Sequence, residues 1–138
     1  MSGTTLRGGC LCGAVTFEVA GEAKRFYHCH CQRCRKASGT GHATNLFLQP
    51  GTLRFLTGEE LVRSFKVPEA QRFTNVFCSQ CGGRVPRQPP GSNMVIIPAG
   101  SLDDEPAMKP LARIFAGSRA GWSCSSDELP VFPEYPPP

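Results

Sequence analysis

Cys29-His30-Cys31-Gln32-Arg33-Cys34 puts three thiols into six residues. Two further groups flank it at a distance, Cys10-Leu11-Cys12 before and Cys78-Ser79-Gln80-Cys81 after, so seven of the eight cysteines fall in three tight groups. Four thiolates complete one tetrahedral zinc site. The three left over make a second site one ligand short, and a zinc site with a free position is the kind that takes water or substrate.

The bulk properties leave room for that chemistry. A chain of 138 residues is expected to form a single domain over residues 1–138, with its core between about 7 and 136. Eight cysteines in 138 residues are a smaller share than the ~8–10% of a small disulfide scaffold. Met1-Ser2-Gly3-Thr4-Thr5-Leu6-Arg7 lacks the apolar stretch of a signal peptide, and Met94-Val95-Ile96-Ile97 is too short to span a bilayer. The expectation is a soluble cytoplasmic protein with no membrane partner, whose reduced thiols bind metal rather than each other. The formal charge of +4 falls to about +1 once seven thiolates hold two zinc ions, so a general nucleic-acid affinity is not expected. The local excess lies at Arg33, Arg35 and Lys36, beside the central group, where it would favour a small anion.

Short alternating stretches bounded by turns point to a mainly β, antiparallel fold. Val15-Thr16-Phe17-Glu18-Val19 alternates after Gly13, and Gly21 is expected to close it. Further strands are predicted at 25–28, 43–48, 53–56, 61–67, 72–77, 94–97 and 112–115, separated by Pro50-Gly51, Gly82-Gly83, Pro89-Pro90-Gly91 and Pro98-Ala99-Gly100. The best helical stretch is one or two turns at 32–37, stopped near Ser38-Gly39. The proline-rich end at 133–138 is expected to be irregular. Phe47, Phe55, Phe65, Phe73, Phe77 and Trp122 are read as core.

Each cysteine group has its own geometry. Cys78-x-x-Cys81 followed by Gly82-Gly83 is a knuckle in form: two intervening residues aim both sulfurs at one ion, and glycine beyond accepts a positive φ. Cys10 and Cys12, one residue apart in extended chain, point to one face. Cys29 and Cys31 would share a face at a strand end, with Cys34 on the first helical turn. Near a helix N-terminus and three cationic side chains, that thiol is expected to be acidified. His28 and His30 have the opposite parity and would point away from the sulfurs, as orienting or surface residues. Spacing alone leaves open which pairs share an ion. A site of three thiolates activates water weakly and suits a soft fourth ligand, an incoming thiol held as a nucleophile against an electrophilic carbon. No HExxH motif accompanies it, which argues against peptide hydrolysis.

Gly8-Gly9-Cys10-Leu11-Cys12-Gly13, Cys29 to Gly39 with its Cys-x-x-Cys-Arg-Lys, Phe77 to Gly83, the turn Ala99-Gly100-Ser101-Leu102-Asp103, and Trp122 with Leu129-Pro130 occur in a recognisable order. In these the chain resembles the glutathione-dependent formaldehyde-activating enzyme family, the GFA or CENP-V/GFA domain. The resemblance implies an Mss4-like β fold with two zinc ions. The structural zinc would be shared by Cys10, Cys12, Cys78 and Cys81, and the catalytic zinc held by Cys29, Cys31 and Cys34. It also implies a carbon–sulfur lyase reaction that joins glutathione, or a similar small thiol, to formaldehyde or another small aldehyde. Arg33, Arg35 and Lys36 become candidates for the glutathione carboxylates by proximity. Arg113 stands where many relatives carry histidine.

Other residues are read plainly. His42 follows a glycine turn and is expected to be ordinary, and Asp103, Asp104 and Glu105 to form a solvated turn. Cys124 stands alone and is expected to be partly buried and inert; the alternative is that Cys124 or His42 completes the three-cysteine group as a structural zinc site. The competing reading is a zinc-stabilised binding module without catalysis. A methionine-sulfoxide-reductase-like redox enzyme would need a reactive cysteine outside the zinc sites, which only Cys124 offers.

Overall fold

The computed structural model describes residues 4–123 and 129–138, which leaves Cys124 outside the described residues. The fold is mainly β. Four strands lie side by side in the order β1 (Thr4–Gly9), β2 (Thr16–Cys29), β3 (Ala43–Thr57) and β6 (Val95–Pro98), each antiparallel to its neighbour. Two further strands, β4 (Val62–Lys66) and β5 (Thr74–Cys78), form a separate antiparallel pair. The strand β7 (Ala112–Ile114) runs parallel to the far end of β2, along residues 27–29. β1 covers β2 only up to Gly21, so β7 takes the half of that edge which β1 leaves open. The helix α1 (Gln32–Ser38) connects β2 to β3 and ends where the sequence placed its stop.

Two pairs of expected strands are single long ones. Gly21 does not end β2, and Pro50-Gly51 does not break β3; the strands stay paired across both positions, with register shifts between Gly21, Ala23 and Arg25. The reason is a shared kink. Gly21 has φ +149°, and a Cβ there would lie 2.2 Å from the Pro50 carbonyl oxygen, so only glycine admits so close an approach of the two backbones. A one-residue slip moves side chains to the opposite face. Phe17 and Val19 before the kink and Phe26 after it therefore face one core, with Leu6, Leu46, Leu48, Val95 and Ile97. The same slip turns Tyr27, Cys29, Asn45 and Phe47 toward the other face, where the site is built.

Two residues read as core are not. Trp122 is 71% exposed and Phe65 is 55% exposed. Phe65 sits on the two-stranded β4–β5 pair, where few of the flanking side chains can cover it. β1 was not expected at all. Among the described residues no helix is long and apolar enough to cross a membrane.

Candidate metal centres

The first cluster joins the two ends of the cysteine pattern. Cys10 and Cys12 lie on the turn after β1, which is closed by the Cys10 N–H on the Val15 carbonyl at 2.9 Å and the Gly13 N–H on the Cys10 carbonyl at 3.1 Å. Cys78 ends β5, and the Gly82 N–H returns to its carbonyl at 2.7 Å, a turn that needs the φ of +76° at Gly82. All four sulfurs lie within 4.8 Å of one another. Cys10 and Cys12 Sγ are 3.7 Å apart and Cys12 and Cys78 Sγ 4.0 Å. Zinc–sulfur bonds of ~2.3 Å in a tetrahedron require an edge of about 3.8 Å, so the donor set fits zinc. The pairing that spacing left open is thereby met: first pair with last.

Backbone amides surround these sulfurs. The N–H groups of Val15, Gln80 and Gly83 donate to Cys10, Cys78 and Cys81 Sγ at 3.3, 3.3 and 3.4 Å, and Gln80 Nε2 donates to Cys12 Sγ at 3.4 Å. Such donors favour thiolate over thiol. The amides of Cys12 and Gly83 bring the Cys81 thiol down to about 6.

The second cluster forms where β2 runs into α1. Cys29 pairs with Ala43 of β3 and Ile114 of β7, which fixes it at the sheet end. Cys31 caps the helix: its Sγ accepts the Cys34 N–H at 3.3 Å and its carbonyl the Arg35 N–H at 3.0 Å. Gly39, at φ +73°, ends the helix by donating its N–H to the Arg35 carbonyl at 2.7 Å. The Cys29, Cys31 and Cys34 sulfurs lie within 4.8 Å of one another, and among the described residues the group stops at three. The expected acidification falls on a different thiol from the one predicted. Burial pushes the Cys34 thiol up, with Cys29 and Cys31 beside it adding to the rise. At Cys31 burial is outweighed by the Cys34 N–H and the neighbouring thiols, and its pKa is lowered. The helix start acidifies its cap, whereas Cys34 is inside.

A cavity of about 510 Å³ opens on this cluster. Cys29 and Cys34 form part of its wall, with Tyr27, Asn45 and Phe47 on the sheet and Phe73, Ile114 and Phe115 opposite. Three arginines line it as well: Arg72, Arg84 and Arg87. Sequence reading missed them, because they are far from Cys29–Cys34 along the chain and form no local pattern. Arg33 and Lys36 are exposed on the helix and Arg35 is half-buried; none of the three lines this cavity.

The opposite face of the β2 end gathers every histidine in the chain. His28 Nδ1 lies 2.7 Å from Thr44 Oγ1, which lies 3.0 Å from His42 Nδ1, and the two rings are 4.2 Å apart. His30 is wholly buried, not at the surface, with its Nε2 3.1 Å from the Arg113 guanidinium. Burial first and Arg113 second hold both His28 and His30 below the usual imidazole range. Arg113 thus anchors the imidazole that lies between two cysteines of the cluster.

The comparisons agree with this architecture. A crystal structure of a Rhodobacter sphaeroides protein, solved as a structural-genomics target, matches with a TM-score of 0.55 at 20% identity, over 78% of this chain and 99% of that one. At that identity the likeness is one of fold. A family model described as glutathione-dependent formaldehyde-activating enzyme matches residues 5–118; Trp122 and Leu129-Pro130 fall outside the matched span. With both cysteine clusters and the cavity inside those limits, the chain belongs to the glutathione-dependent formaldehyde-activating enzyme family.

Proposed function

We propose that the protein is a zinc-dependent carbon–sulfur lyase that joins glutathione, or a similar small thiol, to formaldehyde or another small aldehyde, or catalyses the reverse. The observation that carries this reading is the contrast in ligand number among the described residues: four sulfurs in one cluster, three in the other, and the three beside a cavity of ligand size. Cys10, Cys12, Cys78 and Cys81 would hold a structural zinc and Cys29, Cys31 and Cys34 a catalytic one. Bound by three thiolates, zinc would lower the pKa of an incoming thiol and keep it as thiolate near neutral pH.

The chain's own residues supply the rest. The β2–α1 junction fixes the three sulfurs through the cap hydrogen bonds of Cys31 and Cys34. Phe47, Phe73, Ile96 and Ile114 give the cavity apolar walls that limit water around the reacting carbon. In the forward direction the thiolate sulfur forms a bond to the aldehyde carbon and the carbonyl electron pair moves to oxygen. The oxygen takes up one proton, matching the one lost from the thiol, so that thiol and aldehyde give an S-hydroxymethyl adduct with no redox change.

The test is the glutathione–formaldehyde exchange rate measured by NMR with the zinc-loaded protein. Acceleration in proportion to protein, lost in Cys31→Ser together with one zinc while the fold persists, is the expected result. Equal rates with and without protein would overturn the assignment and favour a zinc-stabilised binding module.

A further inference from the structure

The cavity beside Cys29 and Cys34 is lined, among the described residues, by three arginines, Arg72, Arg84 and Arg87, and by neither aspartate nor glutamate. Among the described residues the ion pairs are Arg7 and Arg54 with Glu18, and Lys24 with Glu22; none involves these three arginines. Arg84 is half-buried and aimed by a neutral partner, its Nε donating to Asn75 Oδ1 at 2.7 Å. Arg87 is also half-buried, and its backbone is locked to Ile96 by a reciprocal pair of hydrogen bonds at 3.0 and 2.9 Å. Burial disfavours the charge on both, Arg84 adds to that effect at Arg87, and Cys34 opposes it at Arg84. Partly buried like charges that no carboxylate among the described residues meets are costly, and an arriving anion offsets that cost.

From this arrangement we infer that Arg84 and Arg87, assisted at the rim by Arg72, form the carboxylate-binding wall of the thiol site and select an acidic thiol over a neutral one. Guanidinium forks suit carboxylates because two parallel N–H groups meet two oxygens. Cys29 and Cys34 of the cluster line the same cavity, so a thiol carrying carboxylates several bonds from its sulfur could be gripped at one end with its sulfur toward them. The inference deepens the proposed function and rests on it for the identity of the thiol. It also moves carboxylate recognition away from Arg33, Arg35 and Lys36.

S-methylglutathione separates the two questions, since it carries the carboxylates but no ionisable thiol. Its affinity for the zinc-loaded protein, measured by calorimetry, is compared with that of its diethyl ester. Wild-type protein should bind the free acid roughly ten- to a hundredfold more tightly than the ester, and Arg87→Gln should remove most of that preference, with Arg72→Gln having a smaller effect. Arg87→Lys should restore part of it, because charge returns without the fork. Equal affinities for acid and ester, or no binding of either by the wild type, would overturn the inference, and the ester arm does so without relying on a variant that folds. Failure of exchange catalysis with the acid preference intact would instead count against the lyase reading alone.

Discussion

The two cysteine clusters use the same ligand atom for different ends. At the Cys10/Cys12/Cys78/Cys81 corner, two tight turns bring four sulfurs together and four N–H donors from Val15, Gln80 and Gly83 point at them. That corner joins the end of β1 to the end of β5, so it staples the main sheet to the β4–β5 pair. At the Cys29/Cys31/Cys34 corner three sulfurs sit on one junction, β2 to α1, and a cavity lies against them. On the proposed reading, four ligands and a staple make a fold element, and three ligands and a cavity make a place for chemistry. Among the described residues, what separates them is not the thiols but whether a distant strand delivers a fourth one.

The largest expected effect breaks the staple. Cys81→Ser should release one zinc and lower the melting temperature by more than ~10 °C, because metal bound at such a corner contributes directly to folding. Cys31→Ser should release the other zinc with a shift of only a few degrees. Metal analysis and thermal melts on both variants check this, and similar melting temperatures would remove the distinction between the corners.

Acid sharpens the same comparison. Protons and metal compete for each sulfur, so a thiol with a raised pKa gives up metal at a higher pH. In the three-cysteine corner burial raises Cys34 and Cys29 while Cys31 is lowered. In the four-cysteine corner Cys12 is raised while Cys10 is lowered and backbone amides bring Cys81 to about 6, and one more thiolate must be displaced there. As pH falls, the three-cysteine corner should therefore lose its zinc first, and the four-cysteine corner and the fold should fail together at a lower pH. A dye titration of released zinc alongside circular dichroism follows both steps. Release in a single step with unfolding would contradict this order.

A smaller effect is expected at Gly83. A Cβ there would meet the Leu11 amide nitrogen at 2.8 Å and Cys81 Sγ at 3.3 Å, so Gly83→Ala should cost ~1–3 kcal/mol by denaturant titration and leave the three-cysteine corner loaded. The smallest belongs to the exposed pairs of Glu18 with Arg54 and Arg7, at 3.0 and 3.2 Å. Glu18→Gln should leave the melting temperature within ~2 °C, since exposed ion pairs are screened by solvent. A large drop would mean that surface charge, rather than the zinc staple, carries much of the stability.

The metal corners were legible in the sequence because ligand spacing is local. Cys-x-x-Cys followed by Gly82-Gly83 specifies a turn, and the three thiols at 29–34 specify a strand end running into a helix, both of which the structure shows. Parity also placed His28 and His30 away from the sulfurs. It could not show that His42 and Arg113 come to meet them, since that depends on the pairing of His28 with both Thr44 and Arg113. β1 escaped because Thr4–Gly9 has one large apolar residue, Leu6, and two glycines; its strand conformation comes from pairing with β2 rather than from its own pattern. Gly21 and Pro50-Gly51 read as stops because glycine and proline usually are. Here they let two strands kink together. The arginine wall was illegible for a similar reason: proximity in sequence favoured Arg33, Arg35 and Lys36, but the cavity wall is assembled from the region around β5 and the segment after it.

Cadmium-113 NMR of the protein with cadmium in place of zinc reads the two corners separately. Two resonances are expected, one indifferent to added glutathione and lost in Cys81→Ser, the other moving on glutathione addition and lost in Cys31→Ser. Two resonances that both ignore glutathione would mean that the three-cysteine corner is closed, and the division between staple and reaction site would be wrong.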